Sequence, residues 1–309
     1  MSTQPSALAH SVAPGSLMAY VLGARPKTLL IAIAPVLVGI ASALRIVHAR
    51  ELRWGAALAA MAGAIWLTVG ANFANDVFDY EKGADTHERL GPMRVTQAGL
   101  LSPRSVKVAM GVSFALATLC GVYLTWVAGP AIVAIGLGSI AAAIAYTGGP
   151  YPLGYNGLGE VFVMLFFGLV AVCATSWVCT GTLATVALIL SLAPGALAAA
   201  VLLVNNVRDY QTDAMANKRT LVVRFGRPAG VKLYALALAL AYLAPVTAWA
   251  LSLAPLSAML LPLLTLPAAL LLLRAVHRER GEALNRRLAQ TAALLTAHAI
   301  LLSLGLIVT

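Results

Sequence analysis

Residues 55–85 read GAALAAMAGAIWLTVGANFANDVFDYEKGAD. The stretch begins as an apolar run long enough to span a bilayer, for which about 20 residues suffice. Its end holds Asn72, Asn75, Asp76, Asp79, Glu81 and Asp85. A carboxylate at the edge of hydrocarbon is costly, so it is normally paired or metal-bound and marks a functional position. A second stretch of this kind, VNNVRDYQTD, occupies 204–213. Both contain Asn-x-x-x-Asp followed by another Asp: Asn75, Asp79 and Asp85 in the first, Asn205, Asp209 and Asp213 in the second. Positions i and i+4 lie on one helix face. Each stretch therefore aims an amide and a carboxylate in one direction, with the last Asp just beyond.

The rest of the chain is consistent with that reading. Of 309 residues, 61% are hydrophobic and only 10% are charged, and the mean hydropathy is +0.88. No soluble domain needs so much apolar surface, so the fold class is all-α, a polytopic helical membrane protein. The apolar runs are continuous and do not alternate, which excludes a barrel. Nine spans are predicted, at 27–48, 55–76, 105–126, 130–147, 158–179, 183–205, 230–251, 255–274 and 287–308. Residues 1–20 are polar and small; they are expected to be a disordered cytoplasmic tail and not a cleavable signal. Residues 21–309 are expected to form one transmembrane domain with cap loops at 77–104 and 206–229. Cys120, Cys173 and Cys179 all lie in apolar runs and read as small core residues.

The net charge of +10 follows the positive-inside bias. Lys and Arg gather in the N-terminal flank and in the 2–3, 6–7 and 8–9 loops, whereas the opposite side carries only Arg45, Arg50 and Arg53. The N-terminus and both acidic stretches are thus expected at the cytoplasmic face. No patch interleaves basic and aromatic residues, so nucleic acid is not an expected partner. Four helices separate the two acidic stretches, which predicts parallel duplicated halves.

Five carboxylates (Asp76, Asp79, Asp85, Asp209 and Asp213) would repel one another if merely brought together. A hard divalent cation removes that difficulty. Mg²⁺ takes oxygen ligands and usually bridges one or two carboxylates to substrate phosphates. Two facing clusters suit two ions flanking a diphosphate. Lys82, Arg89 and Arg94 follow the first cluster, and Lys218 and Arg219 the second, placed to neutralise the same diphosphate. The bland alternative is a pair of interhelical salt-bridge networks. No Gly-rich phosphate loop is present, which argues against a nucleotide.

These stretches resemble the two aspartate-rich motifs of the UbiA superfamily of membrane prenyltransferases. ARPKTLL (24–30), LGPMRVTQAGLLSP (90–103), YTGGPYPLGYNGLGE (146–160) and NKRTLVVRFG (217–226) are similar to the branch that prenylates 1,4-dihydroxy-2-naphthoate in menaquinone synthesis. The superfamily's first motif usually reads Asn-x3-Asp-x3-Asp. Here two extra residues separate Asp79 from Asp85, a longer spacing that the naphthoate branch shares. The resemblance implies nine helices around a central cavity that opens sideways to lipid, in a bacterial cell membrane. It implies a polyprenyl diphosphate held on Mg²⁺, and prenylation of the aromatic acid with loss of CO₂ and diphosphate to give demethylmenaquinone.

Within that frame, Asp79, Asp209 and Asp213 are the first candidates as Mg²⁺ ligands, then Asp76 and Asp85. Asn72, Asn75 and either Asn205 or Asn206 would contribute amide oxygens or orient ligands. Arg94, Lys218 and Arg219 would grip the diphosphate. Tyr146, Tyr151 and Tyr155 are candidates to line the pocket of an allylic cation, or else interfacial anchors. The acceptor carboxylate needs a cation, with Arg25 or Lys27 the candidates and Arg94 and Gln97 alternatives. Glu160 would accept a proton or pair with a loop arginine. His298 is expected to be a hydrogen-bonded core residue. The rival class is a secondary transporter, whose sites usually lie near the midplane; the rival acceptor is 4-hydroxybenzoate. Prenyl length and oligomeric state are not encoded legibly.

Overall fold

The computed structural model describes residues 12–84 and 90–308. Among them the regular structure is entirely helical. Chain order runs α1 (Leu17–Ala24), α2 (Pro26–Ala43), α3 (Trp54–Glu81), α4 (Pro103–Ala128) and α5 (Ala131–Ala145). There follow α6 (Gly159–Thr180) and α7 (Thr185–Met215). The short α8 (Leu221–Phe225) then leads to α9 (Arg227–Ala250), α10 (Leu256–Leu263), α11 (Leu266–Arg278) and α12 (Ala283–Ile307).

By length and apolarity seven helices can cross a membrane: α2, α3, α4, α6, α7, α9 and α12. The pair α10 and α11, bent by 44°, makes an eighth. The expected count of nine is therefore not reached on this criterion. The shortfall is α5, whose 15 residues reach about 22 Å at 1.5 Å per residue, short of a hydrocarbon core about 30 Å thick. Gly129 and Pro130 precede it, and Gly148, Gly149 and Pro150 follow its end. The bend between α10 and α11 falls between Pro262 and Pro267, which remove backbone donors. Thr265 donates its hydroxyl to the Pro262 carbonyl at 2.7 Å, and Tyr242 donates to Thr265 at 2.7 Å.

The tail expected at 1–20 also shifts. Residues 1–11 lie outside the described region, and from Leu17 the chain is helical. Ser16 caps α1 by accepting the Ala19 N–H at 3.4 Å. The cap segments expected at 77–104 and 206–229 begin later than the hydropathy suggests. The helical ladder continues past the apolar run, to Glu81 in α3 and Met215 in α7.

Helix α7 is the axis of the bundle, with 78% of its apolar window buried, against 17% for the lipid-facing α4. Its Ala-rich face packs on α6, α9 and α12. A Cβ on Gly195 would come within 2.9 Å of the Gly168 Cα, so two glycines let α6 and α7 approach at backbone distance. A turn of π-helix, Leu165–Val170, occurs at this crossing. His298 is fully buried in α12, edge-on to the Tyr242 ring at 5.1 Å. It is a core residue as expected, but its ring nitrogens have no hydrogen-bond partner: packing on Tyr242 takes the place of the expected bond. Cys173 and Cys179 are buried and Cys120 is partly exposed.

Candidate active site

The C-terminal ends of α3 and α7 open on one cavity of about 530 Å³. Asn72, Asn75 and Asp79 line it from α3, and Asn205, Asn206, Asp209 and Asp213 from α7. The second motif is helical throughout, since α7 continues to Met215; Asn205, Asp209 and Asp213 thus follow one another at single-turn intervals. In the first motif α3 stops at Glu81, short of Asp85, which lies outside the described residues together with Arg89.

Cations from both loops meet at Asp79, which is 2% exposed. Arg94 Nη2 donates to Asp79 Oδ2 at 2.9 Å. Lys218 Nζ reaches Oδ1 at 3.3 Å, and the Tyr155 hydroxyl donates to Oδ1 at 2.7 Å. Lys218 follows the second motif in sequence yet pairs with the first, so the two acidic stretches face one another across one site. Its ammonium also stands 4.7 Å from the Tyr155 ring centroid, a cation–π contact.

Asp76 is placed differently from its neighbour. It does not line the cavity; it is 1% exposed and accepts the backbone N–H groups of Val95 at 3.1 Å and Thr96 at 3.0 Å. Its role is to tether the loop that presents Arg94, because two buried amides without an acceptor would be costly. Arg25, at 3.8 Å from Asp76, does line the cavity. Its backbone is left-handed (φ 53°) between α1 and α2. Asn72 braces that junction, donating to the Ala24 carbonyl at 2.9 Å and to Thr28 Oγ1 at 3.0 Å. Asn75 accepts from the Thr147 hydroxyl at 3.0 Å.

Other expected residues stand off the cavity wall. Lys82 donates to the carbonyls of Thr147 at 2.7 Å and Gly149 at 3.2 Å. Burial lowers its pKa below the ordinary lysine value, and Lys218 adds to that effect while Asp79 opposes it. Lys27, Tyr151 and Arg219 are exposed and Gln97 is half-buried; none lines the cavity. Arg219 contributes through its backbone, whose N–H donates to the Tyr155 carbonyl at 2.7 Å. Tyr146 lines the cavity, its ring seated on Gly154 and Gly159. A Cβ at either glycine would stand 3.0 Å from that ring or its hydroxyl. Among the described residues Glu160 pairs with no loop arginine; it accepts from Asn206 Nδ2 at 2.8 Å.

Sequence reasoning missed two groups. Arg208 counts there only as a topology-setting charge, yet it is 3% exposed and grips Asp209 through both carboxylate oxygens, at 2.7 and 2.5 Å. A cation inside the acidic motif, three residues after Asn205, was the available signal. Phe162 and Phe166, one turn apart on α6, line the apolar shaft with ring centroids 6.1 Å apart. The shaft runs deep. Ala60 and Asp79 both line it from α3, nineteen residues apart, or about 28 Å at 1.5 Å per residue.

The fold and the site define a membrane-embedded helical bundle with an oxygen-rich mouth, flanked by cations, over a long apolar shaft. The profile of the UbiA prenyltransferase family matches residues 32–297, and the chain belongs to that family. It is 45% identical over 207 residues to 1,4-dihydroxy-2-naphthoate octaprenyltransferase of Mycobacterium tuberculosis, covering 67% of this chain and 70% of the relative. The enzyme of the same name from Escherichia coli is 39% identical over 208 residues, covering 65% and 67%. A UbiA homolog from Archaeoglobus fulgidus, solved bound to DMAPP and Mg²⁺, superposes with a TM-score of 0.67 at 15% identity, over 92% of this chain and 99% of that one. The apo structure of a UbiA homolog from Aeropyrum pernix K1 gives a TM-score of 0.68 at 14% identity, covering 92% of this chain and 98% of that one.

The donor set suits a hard cation. Asn75, Asp79, Asn205, Asp209 and Asp213 offer only oxygen ligands from side chains on one cavity. Among the described residues no three acidic, His or Cys side chains stand close enough to hold an ion by themselves.

Proposed function

We propose that the chain transfers a polyprenyl group from polyprenyl diphosphate to 1,4-dihydroxy-2-naphthoate, releasing CO₂ and diphosphate. The product is the quinol form of demethylmenaquinone. The observation that supports this most is the meeting of both acidic helix ends at one cavity, with Lys218 of the second loop paired to Asp79 of the first. The names of the curated relatives support the choice of acceptor.

The chain's own residues do most of the work in this reading. Arg94 and Lys218 meet the diphosphate at the mouth and take up the charge that grows on it as the allylic C–O bond breaks. Mg²⁺, in our reading two ions held by Asn75 and Asp79 on one side and Asn205, Asp209 and Asp213 on the other, supplies Lewis-acid neutralisation of that charge. The apolar shaft takes the isoprenoid tail and excludes water from the allylic cation. Tyr146, Phe162 and Phe166 offer it π-faces, each contact worth about 0.5–2 kcal/mol. Arg25 receives the acceptor carboxylate. The ring carbon bearing that group forms the new C–C bond, and the electron pair of the bond to CO₂ returns to the ring as CO₂ departs.

Residues 21–309 act as one prenyltransferase domain in a bacterial inner membrane. The asymmetry of Lys and Arg supports a cytoplasmic N-terminus and a cytoplasmic cavity mouth. The test is turnover by detergent-purified protein given Mg²⁺, dihydroxynaphthoate and a polyprenyl diphosphate. CO₂ and diphosphate should appear in equal amounts, and EDTA should abolish both. Offering 4-hydroxybenzoate in competition decides the acceptor; preference for it would replace the naphthoate assignment.

A further inference from the structure

Behind Asp209, outside the cavity lining, every nitrogen of the Arg208 guanidinium is engaged. Its Nε and Nη2 hold the two Asp209 oxygens. Nη2 also donates to Asn205 Oδ1 at 2.7 Å, and Nη1 donates to Asn285 Oδ1 of α12 at 2.7 Å. Asn285 in turn donates from Nδ2 to the Leu90 carbonyl at 2.8 Å. Leu90 opens the segment that carries Arg94. Adjacent helix residues point in different directions, so Arg208 must fold along α7 to reach Asp209, and Asn205 and Asn285 hold it in that pose. Neither Arg208 nor Asn285 lines the cavity.

The geometry points to Arg208 and Asn285 as positioning residues. Arg208 fixes the Asn205 amide and the Asp209 carboxylate toward the cavity, and Asn285 locks Arg208 to the loop that presents Arg94. The acidic end of α7 and the cationic loop after α3 are thereby set as one unit before any ligand arrives. The planar fork is what the arrangement requires; a lysine keeps the charge but cannot hold two oxygens and two amides at once.

This inference rests on the proposed function, and the experiment separates the two. The probe is Mg²⁺ titrated in the presence of inorganic diphosphate, read as the rise in thermal midpoint of purified protein and, in parallel, as turnover. Absence of a Mg²⁺-dependent rise in the unaltered protein would count against the proposed function itself. Given such a rise, Arg208→Lys and Asn285→Ala should each increase the half-saturating Mg²⁺ concentration by about 10–100-fold. The KM for dihydroxynaphthoate should stay within about twofold. Asn285→Ala removes no charge and leaves the cavity lining intact, so it serves where Arg208→Lys fails to fold. Variants with a lowered midpoint but an unchanged half-saturating Mg²⁺ would show a structural role only and overturn the assignment.

Discussion

In α3 the carboxylates are held by groups outside the helix, whereas in α7 the grip comes from within it. Asp79 takes its cations from two loops, Arg94 and Lys218, and Asp76 holds the first of those loops by its backbone. Asp209 takes its cation from the preceding residue, Arg208. The two ends have the same Asn-x-x-x-Asp spacing, so spacing alone does not decide what a carboxylate does. The place of the helix in the bundle does: 78% of the apolar window of α7 is buried against 39% for α3, and the cation behind Asp209 comes from α7 itself. At α3 the cations come from the segments after α3 and α7 and line the cavity. In the proposed function an incoming diphosphate would take Arg94 and Lys218 over from Asp79, while Arg208 would stay behind as support.

The comparison is broken most severely by Asp209→Ala. It removes a cavity carboxylate and leaves Arg208 buried without its counter-ion, a loss of about 3–5 kcal/mol. Turnover should fall by at least about 100-fold and the thermal midpoint should drop. Asp79→Ala should lose as much activity with a smaller drop in midpoint, because Arg94 and Lys218 line the cavity whereas Arg208 does not; equal destabilisation of the two variants would remove the distinction.

A weaker break is Asp76→Asn. The amide retains one oxygen acceptor where two N–H groups need one, so about 1–3 kcal/mol of stability is lost. KM for the polyprenyl diphosphate should rise more than the Mg²⁺ requirement. A Mg²⁺ requirement shifted as far as in Asp79→Asn would return Asp76 to the metal-ligand set.

The smallest effect concerns pH. Burial lowers the Lys82 pKa, so the lysine loses its proton at a lower pH than the ordinary value of about 10.4. The positive charge near Tyr155 is present below that point and lost as pH rises through it. The alkaline fall of kcat/KM should therefore begin early, and Lys82→Arg should move it to higher pH. Superimposable profiles for the two proteins would show that this charge plays no part.

Much of the fold is legible in the residues, because a bilayer leaves few alternatives to long apolar helices. The apolar runs, their Lys and Arg asymmetry and the two acidic ends all appear in the sequence. The count of spans does not, because hydropathy registers α5 as a full crossing without the turn at Gly148–Pro150; nor does the bend at Thr265 within the α10–α11 pair. At the site, Asn75, Asp79, Asn205, Asp209, Asp213, Arg94 and Lys218 are legible, since a polar residue at the end of an apolar run is conspicuous. Asn285 is not, since nothing near it in the sequence marks it, and Arg208 reads as a topology-setting charge although it sits inside the acidic motif. Phe162 and Phe166 are hidden in a run where every residue is apolar.

The sequence by itself determined that this is a helical membrane protein with two acid-bearing helix ends, because burying unpaired charge and leaving backbone unbonded are both too costly in hydrocarbon. Only the tertiary structure decided which carboxylate faces the cavity, which one tethers a loop, and that Lys218 crosses to Asp79. Those choices depend on how α3, α7 and α12 are rotated against one another. That rotation is set by packing between residues far apart in the chain, such as Gly168 against Gly195 and Asn285 against Leu90, which no local pattern records.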